Sequence, residues 1–401
     1  MKFVIAGGWA AGTAAAGHLR KLDPSAAITI VDAEPVPYYP RPDLIDYVAG
    51  RKSRDQLFVH DSRWYTDNGI SLASGRRVTE VHPADHTCSL DDGTTLPYDR
   101  LLLANGSSPF VPPLPGTSQA GVFSLRTLAD ADALLTLVAP GSNAVIVGGG
   151  VLGLEAARAL TERGMTASVL EFAAHLLPNQ LDEPAATMLH DHLRNLGITA
   201  MLGVESQEVI PENGGAAGVL LKDGRSVPGS FVLFSTGVRP NVAVARTAGI
   251  AVGRGIQVDD FMQTSAPDIF AAGDVVEHRG RVYGIIPPCL EQARVAAQNM
   301  VNLGGATYQG SVMSNSLKIV GLDVLSIGNV NPAPAQGIEE IRMTDGEVYR
   351  KVVLEQGVLT GIILYGTTTG ARQLQQALRT HVDLSAFREQ LARPDWDFTG
   401  M

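Results

Sequence analysis

Two glycine-rich segments, residues 7–12 and 148–153, have the composition and spacing of loops that hold a pyrophosphate. Each comes directly after a short apolar run and before a helix-forming stretch. An acid, Asp32 or Glu171, follows the first glycine by 25 or 23 residues. In such loops the first glycine allows the sharp turn, the second lets the backbone approach the phosphates, and the third lets the helix pack closely. The helix start attracts phosphate and the acid accepts hydrogen bonds from a ribose, so the sequence predicts two dinucleotide-binding sites.

The first segment departs from this pattern at Trp9, which occupies the place of the second glycine. Two arrangements would accommodate it: the indole turns aside, or the loop shifts and Gly8 takes over the approach to the phosphates. The predicted contact residues of the first segment are Gly7, Gly8, Trp9, Ala11, Gly12 and Asp32. Those of the second segment are Gly148, Gly150, Val151, Leu152, Gly153 and Glu171.

The elements that must position these segments recur in the same order: strand, turn, helix, strand and acid. Asp-Gly turns in residues 91–94 and 222–225 predict a hairpin after each repeat. Four prolines between residues 109 and 115 predict a linker, and from about residue 307 the pattern predicts a separate α+β domain. The predicted strands are 3–6, 27–31, 77–81, 87–90, 100–104, 144–147, 166–170, 219–221, 230–234, 316–320, 324–327, 339–343, 348–354 and 360–364. Two predicted helices follow the glycine turns and end near residues 22 and 163, and two more span residues 369–380 and 384–391.

The composition limits both fold and function. The chain has 401 residues, of which 45% are hydrophobic and 18% charged, which suits roughly two to four domains and argues against disorder. A net charge of −10 argues against nucleic acid and against an anionic membrane surface as partners. There is no apolar run of about 20 residues and the first residues do not resemble a signal peptide, so we expect a cytoplasmic location and no membrane span.

The two cysteines, Cys88 and Cys289, stand 201 residues apart. This spacing excludes a disulfide framework, a zinc ribbon, a Cys-ligated iron–sulfur cluster and a Cys-x-x-Cys motif. Cys88 lies in a hairpin strand and is expected to pack. Cys289 follows two prolines at a predicted helix start, where a lowered thiol pKa is one alternative, although packing is the favoured interpretation.

Further segments make the sequence similar to a known family. They are residues 37–42 with 47–50, 102–109, 235–241, 269–274 and 290–294. In this order they resemble the FAD-dependent pyridine nucleotide–disulfide oxidoreductases, and the pattern is nearest to rubredoxin reductase and to the flavoprotein half of NADH-dependent nitrite reductase. The resemblance covers nearly the whole chain and implies an α/β fold with two Rossmann-like nucleotide-binding domains and a C-terminal α+β interface domain. The FAD domain would comprise residues 1–110 and 229–305, the NAD domain residues 111–228, and the last domain residues 306–401.

The resemblance also implies roles for individual residues. Asp274 would accept a hydrogen bond from the ribityl chain of FAD, and the helix that contains Leu290 would face the pyrimidine end of the flavin. Arg41, beside the reactive nitrogen of the flavin, and Glu155, near the nicotinamide, would be the catalytic residues, joined by an ion pair that rearranges when nicotinamide docks. The alternative for Glu155 is an ordinary acid favoured by the helix dipole. The other implied cofactor contacts are Pro42, Val78, Ala104, Asn105, Gly106, Arg126, Gly237 and Gly273, with an ordinary surface arginine as the alternative for Arg126.

The ribose acid of the second segment favours NADH over NADPH. A site for NADPH usually has an arginine near the ribose to meet its 2′-phosphate. No arginine follows Glu171 before Arg194. His175 is the one nearby residue that could favour the phosphate, although a solvated loop histidine is the commoner case.

The activity that the resemblance implies is that of an NADH:acceptor oxidoreductase. Residues 41–46, where related disulfide reductases carry cysteine, contain no sulfur. Electrons would therefore leave FAD without a protein disulfide, for a protein acceptor such as rubredoxin, ferredoxin or an iron–sulfur subunit. The chain could also be the NADH-entry subunit of a larger redox complex, with the aromatic tail 393–398 docked on a partner or, equally, on its own domain.

Two other functions stay open. One is an NADH oxidase that reduces oxygen, although the missing cysteine argues against its cysteine-dependent forms. The other is a non-catalytic scaffold or nucleotide-sensing subunit with impaired FAD binding, for which Trp9 is the only support.

Overall fold

The computed structural model describes residues 1–311, 314–396, 398 and 400, and for residues 314–319 it describes the backbone alone. The chain divides into two compact units. The first unit comprises Met1–Phe110, Arg126–Ala131 and Val238–Ser311, and the second comprises Val111–Leu125, Asp132–Gly237 and Val312–Met401. The chain thus leaves the first unit after Phe110, enters it again at Arg126–Ala131, and returns to it at Val238 once the second nucleotide repeat is complete.

The return to the first unit comes at Val238, whereas the sequence predicted it at residue 229. The strand Phe231–Phe234 accounts for the difference. Its four residues are all buried, and it pairs with Asn143–Val147 in the second unit. The C-terminal sheet, predicted as a separate domain, is grouped with the second nucleotide repeat.

A parallel sheet of five described strands forms the centre of the first unit. Its middle strand, Lys2–Ala6, is apolar and buried after its first residue, as expected for a strand covered on both faces. The helices Ala10–Leu22 and Ile286–Val301 pack together and contribute fully buried alanines, among them Ala15 and Ala293. In order across the sheet, the strands are Ile269–Ala271, Arg100–Leu103, Lys2–Ala6, Ala27–Asp32 and Ile70–Ser74.

The second unit repeats four strands of this sheet in the same spatial order, and all of its strands are parallel. Its fifth strand, Val122–Phe123, precedes the others in the chain, whereas Ile269–Ala271 is the last strand of the first sheet. In both sheets the strand before the glycine turn lies beside the strand that ends in the ribose acid, which is the order of dinucleotide-binding folds. The predicted α/β fold with two nucleotide-binding repeats is therefore confirmed. In order, the strands are Ile198–Leu202, Thr166–Glu171, Asn143–Val147, Phe231–Phe234 and Val122–Phe123.

Smaller antiparallel sheets follow each repeat at the predicted hairpins. Their strands are Val78–His82, Thr87–Leu90 and Thr95–Pro97 in the first unit, and Ser206–Glu212, Gly215–Leu221 and Ser226–Pro228 in the second. Two further pairs in the first unit join Ser107–Pro109 to Val238–Pro240 and Ile256–Val258 to Val276–His278. The helices and short 3₁₀ turns not named elsewhere are Asp43–Ala49, Asp55–Leu57, Ser62–Asp67, Leu128–Leu135, Ala243–Thr247, Ala371–Thr380, Ser385–Phe387 and Arg388–Leu391. Within the described part of the chain, no helix is long and apolar enough to cross a membrane.

An antiparallel sheet forms the C-terminal part of the second unit, in the order Ser314–Ile319, Leu322–Gly328, Val358–Tyr365, Val348–Glu355 and Ile338–Asp345. This sheet is joined to the nucleotide repeat by a buried polar cluster. Asp182 caps the helix Glu183–Asn195. Its Oδ2 accepts a 2.6 Å hydrogen bond from the Tyr349 hydroxyl and lies 3.4 Å from Nζ of Lys351. Lys351 is 2% exposed and also pairs with Glu340 at 3.2 Å, so this cluster crosses from sheet to helix within one unit.

The aromatic tail packs on its own domain. Phe398 is 1% exposed and its ring centre lies 4.6 Å from that of Trp396. The guanidinium of Arg350 lies 4.9 Å above the Phe398 ring. Of the two alternatives for residues 393–398, docking on the chain's own domain is the one observed. Asp397 lies outside the described residues.

Candidate functional site

The first glycine turn joins the first strand to the first helix of the chain. Gly7 has a φ of +110°, which residues with a side chain rarely adopt. A Cβ on Gly12 would stand 1.8 Å from the carbonyl oxygen of Gly7, so the helix packs on the turn at a distance that only glycine allows. A Cβ on Gly8 would stand 2.7 Å from Oδ2 of Asp32, which brings the turn against the ribose acid. Burial raises the pKa of the Asp32 carboxyl.

The Trp9 side chain contacts two arginines and the backbone of Tyr39. Its indole N–H donates a 2.6 Å hydrogen bond to the carbonyl oxygen of Tyr39. The guanidinium carbons of Arg41 and Arg126 lie 5.0 and 5.8 Å from the ring centre, within range of a cation–π interaction. Tyr38 meets the indole edge-on, with 6.3 Å between ring centres. Tyr39, Arg41 and Arg126 thus hold the indole in place. Which of the two predicted arrangements applies when FAD is bound stays a prediction.

Arg126 and Asp274 form the centre of a buried polar cluster in the first unit. Nη2 of Arg126 lies 3.0 Å from Oδ2 of Asp274 and donates to the Ser107 hydroxyl at 2.9 Å. That hydroxyl in turn donates to Asp274 at 2.9 Å. The side chains of Arg126 and Asp274 are 19% and 10% exposed, and burial lowers the pKa of Arg126. Arg126 is thus half-buried and paired with Asp274, which favours a role in the site over that of an ordinary surface arginine. Its contact with the flavin stays a prediction.

Arg41 extends this cluster. Its Nη2 lies 2.9 Å from Oε1 of Glu34, and its Nη1 donates to the carbonyl oxygen of Arg126. The Tyr39 hydroxyl donates to Oε2 of Glu34 at 2.6 Å and accepts from the N–H of Leu128 at 2.8 Å. Burial raises the pKa of this phenol. Glu34 was missed as a site residue because it belongs to no motif, and its only signal is a position two residues after the ribose acid. Tyr39 lies in the segment 37–42 that resembles the family, but the sequence analysis assigned it no role of its own.

Three buried polar atoms of this region have no hydrogen-bond partner among the described residues: Nε of Arg41, Nε of Arg126 and Oδ1 of Asn105. Buried donors and acceptors are rarely left unpaired, so these atoms indicate a ligand that offers both acceptors and donors. FAD offers ring carbonyls, ring nitrogens and ribityl hydroxyls. The residues present therefore fit FAD.

The Asn105 amide also has a structural role. Its Nδ2 donates to the carbonyl oxygen of Asn241, and Nδ2 of Asn241 donates to the carbonyl oxygen of Asn105, both at 2.8 Å. This reciprocal pair of hydrogen bonds fixes the turn at residues 104–106 to the segment that follows the strand Val238–Pro240. The amide of Asn105 is thus fixed through its Nδ2, while its Oδ1 accepts no hydrogen bond from the described residues.

The remaining predicted FAD contacts lie in the first unit with different surroundings. Gly273 is packed so that its Cβ position would stand 3.0 Å from Cβ of Ala11. Leu290 is 43% exposed on the helix Ile286–Val301, whereas Val78 is 8% exposed within an apolar cluster. Pro42, Ala104 and Gly106 lie on loops, next to the start of the helix Asp43–Ala49 or the end of the strand Arg100–Leu103. Their contact with FAD stays a prediction.

Both cysteines are buried thiols. Burial raises the pKa of Cys88 to about 11. The Cys289 thiol donates to the carbonyl oxygen of Ile285 at 3.2 Å and lies 3.5 Å from Oδ1 of Asp274. Burial and the Asp274 carboxylate raise the pKa of Cys289. The alternative of a lowered pKa is therefore wrong, because desolvation and the neighbouring carboxylate outweigh the helix end.

The second glycine turn repeats the geometry of the first. Gly148 has a φ of +111°, and a Cβ on Gly153 would stand 2.1 Å from the Gly148 carbonyl oxygen. Oε2 of Glu171 accepts a 2.7 Å hydrogen bond from the N–H of Gly149. At Gly150, no described atom lies within 4 Å of the Cβ position. This face of the turn is thus open, where the motif predicts the approach of a pyrophosphate.

The helix Val151–Glu162 starts at this turn, and Leu152 is 42% exposed in its first turn. One turn further, Oε1 of Glu155 accepts a 2.5 Å hydrogen bond from the backbone N–H of Val320 in the C-terminal sheet. Gly237 has a φ of +93° and ends the second nucleotide repeat. The ion pair of Glu155 with Arg41 stays a prediction.

Most of the chain matches families of known proteins. Residues 1–299 match the family described as Pyridine nucleotide-disulphide oxidoreductase, and residues 314–382 match the Rubredoxin NAD+ reductase C-terminal domain. The assimilatory nitrate reductase electron transfer subunit of Bacillus subtilis (strain 168) is 35% identical over 395 residues, which cover 98% of this chain and 51% of that protein. Subunit epsilon of the NADH-dependent phenylglyoxylate dehydrogenase of Aromatoleum evansii is 29% identical over 399 residues, which cover 97% and 94% of the two chains.

A solved structure extends the likeness to the whole fold. NADH:rubredoxin oxidoreductase from Clostridium acetobutylicum superimposes with a TM-score of 0.81 at 28% identity, over 96% of each chain. The chain spans about half the length of its nitrite and nitrate reductase relatives. The likeness therefore covers one part of those longer proteins, and nearly the full length of the solved reductase.

Proposed function

The chain belongs to the pyridine nucleotide-disulphide oxidoreductase family, and from its site we propose an FAD-dependent NADH:acceptor oxidoreductase that passes electrons to a protein redox partner. The observation that carries the proposal is the pair of matched glycine turns. The turn that ends at Gly12 lies beside buried arginines with unpaired Nε–H groups, and the turn that ends at Gly153 has an open face at Gly150. One chain thus offers a site for each of two dinucleotides.

The first site would hold FAD through the residues of the buried cluster. FAD, when bound, takes up a hydride from NADH and releases electrons singly, so that a two-electron donor can reduce a one-electron acceptor. Arg41 and Arg126 supply two positive charges in a partly buried site, where charge developing on a ligand is stabilised more strongly than in water. Asp274, already fixed by Arg126 and Ser107, orients hydroxyl groups.

The second site would hold NADH. The backbone at Gly150 can approach the pyrophosphate, and Glu171, positioned by its bond to the Gly149 N–H, accepts hydrogen bonds from the ribose hydroxyls. Glu155 lies on the helix that starts at this turn and would be placed on the nicotinamide side. NADH stays the proposed dinucleotide because no arginine follows Glu171 before Arg194.

The partner would be a rubredoxin, a ferredoxin or an iron–sulfur subunit. The match of residues 314–382 to a rubredoxin reductase C-terminal domain supports this, as do relatives that are named as an electron transfer subunit and as a dehydrogenase subunit. Those names also support the proposal that this chain is the NADH-entry subunit of a larger redox complex. Residues 41–46 contain no cysteine, so electrons would reach the partner without a protein disulfide. A cytoplasmic location remains part of the same proposal.

A visible spectrum of the purified chain tests the proposal. We expect a yellow protein whose flavin bands bleach on anaerobic addition of NADH and return when oxidised rubredoxin or ferredoxin is added. Colourless protein that does not take up added FAD would refute the proposal and favour the scaffold. Bands that return in air as fast as with the carrier proteins would favour the NADH oxidase. Purification from the native source without co-eluting subunits would contradict membership of a larger complex.

A further inference from the structure

The turn at Val320 and Gly321 in the C-terminal sheet is clamped by two helices of the nucleotide repeat. The N–H of Val320 donates to Oε1 of Glu155 at 2.5 Å, and its carbonyl oxygen lies 3.1 Å from Nε2 of His192. A carbonyl oxygen can only accept, so Nε2 of His192 carries the proton. The Cβ position of Gly321 lies 3.1 Å from Nη1 of Arg158, one turn after Glu155. Both peptide groups of Val320 are thus fixed by side chains of the nucleotide repeat.

The backbone of Val320 is strained. Its φ is +45°, and it is 1% exposed. Positive φ is rare for a β-branched residue and persists only where the surrounding structure enforces it. The two-residue hairpin turn between the paired residues 319 and 322 requires a positive φ at both Val320 and Gly321, and the contacts with Glu155 and His192 hold that turn in place. The strained turn therefore points its N–H at one carboxylate and holds it there.

We propose that Val320, held by His192, is a positioning residue that orients the Glu155 carboxylate for the reaction with NADH, so that the C-terminal sheet forms part of the nicotinamide site. The inference rests on the proposed function. A carboxylate that accepts a backbone hydrogen bond is held more firmly than a solvated one, because charge-assisted bonds are short and strong. Loosening the turn would leave dinucleotide binding at the glycine turn intact and would slow the step in which NADH reacts.

Two histidines on one helix provide a matched pair of variants. His192 donates to Val320, whereas His190 bonds the carbonyl oxygen of Ala200 at 3.2 Å, within the nucleotide repeat itself. The His192→Ala variant should lower the limiting rate of flavin bleaching by NADH roughly three- to thirtyfold, with little change in the NADH concentration needed for half-saturation. The His190→Ala variant should leave the limiting rate within about twofold of the wild type. Reduction by dithionite should be equal in all three proteins.

Two further variants separate positioning from a general loss of structure. His192→Gln keeps an N–H donor and should restore most of the rate, whatever the melting temperature of His192→Ala. In a Glu155→Ala background, His192→Ala should have no further effect on the rate, because the group that it positions is gone. Equal limiting rates of bleaching for His192→Ala and His190→Ala would overturn the inference. Additive losses of rate in the double variant of Glu155 and His192 would overturn it as well. Wild-type protein that NADH does not bleach would instead refute the proposed function, and this inference with it.

Discussion

Replacing Gly150 by alanine tests whether the second glycine turn binds the pyrophosphate of NADH. Gly150 has a φ of −73° and a ψ of 174°, a conformation that alanine adopts without strain. No described atom lies within 4 Å of its Cβ position. The fold should therefore tolerate the added methyl group, and the melting temperature should stay the same or rise slightly. Only a ligand that approaches the backbone at this point would meet the methyl group.

The expected loss is one of NADH affinity. A methyl group at this face would displace the pyrophosphate from one backbone N–H, and a hydrogen bond to a charged group contributes about 1.5–3 kcal/mol. This corresponds to roughly a tenfold to hundredfold rise in the NADH concentration for half-saturation. Gly153→Ala should behave differently, because its Cβ would stand 2.1 Å from the Gly148 carbonyl oxygen. The helix would have to move by roughly 1 Å, so this variant should lose both stability and NADH binding.

The assay is anaerobic stopped-flow bleaching of the flavin bands at increasing NADH concentration, with thermal melting measured on the same preparations. Gly215→Ala is the matched control, since its Cβ would make only an ordinary 3.5 Å contact in a hairpin of the same unit. The reasoning would be refuted by a Gly150→Ala protein that saturates at the wild-type concentration of NADH. Loss of FAD or of stability in that variant would equally contradict it.

Other variants test the remaining features. Trp9→Ala removes the ring that contacts both Arg41 and Arg126. It should weaken FAD binding about tenfold in titrations of the apoprotein, since each cation–π contact that fixes an arginine contributes about 0.5–1 kcal/mol. Stronger binding would show that the indole obstructs the site. Tyr349→Phe removes a hydrogen-bond donor from the buried carboxylate of Asp182, so the free energy of unfolding in denaturant titrations should fall by about 1–3 kcal/mol. The flavin spectrum should not change. An unchanged denaturation midpoint would contradict a stabilising role of the Asp182 cluster. At pH 8 both thiols should resist Ellman's reagent until the protein unfolds, because burial raises the pKa of Cys88 to about 11 and also raises that of Cys289; a thiol that reacts within minutes in the native protein would contradict this.

The fold follows from the sequence to a large extent because its determinants are local. A turn that needs φ of +110° at Gly7 and a carbonyl 1.8 Å from the Cβ position of Gly12 admits few other residues, so the glycine spacing reports the geometry directly. The apolar strands before and after each turn report burial on two faces. The point of return to the first unit is harder to place from the sequence, because the apolar composition of Phe231–Phe234 indicates burial but does not indicate which sheet the strand joins.

The site was harder to predict where distant residues decide the outcome. The direction of the Trp9 indole depends on a carbonyl 30 residues away and on Arg126, and neither contact leaves a pattern in the local sequence. The pKa of the Cys289 thiol is set by its burial and by the nearby Asp274 carboxylate, and not by the helix start at which the residue lies. Glu34 shows the same limit, because its role appears only when Arg41 and Tyr39 are seen beside it.

The buried cluster around Asp182 restricts how this protein can be recombined with its relatives. A chimera that takes its C-terminal sheet from a reductase without equivalents of Tyr349 and Lys351 would retain Asp182 and its helix but would lose these two donors. An unpaired buried carboxylate typically costs about 3–5 kcal/mol, which is a large part of the stability of an ordinary domain. The crossover point of a working chimera must therefore keep residue 182 with residues 349 and 351, so that the two sequence-distant segments are inherited as one block.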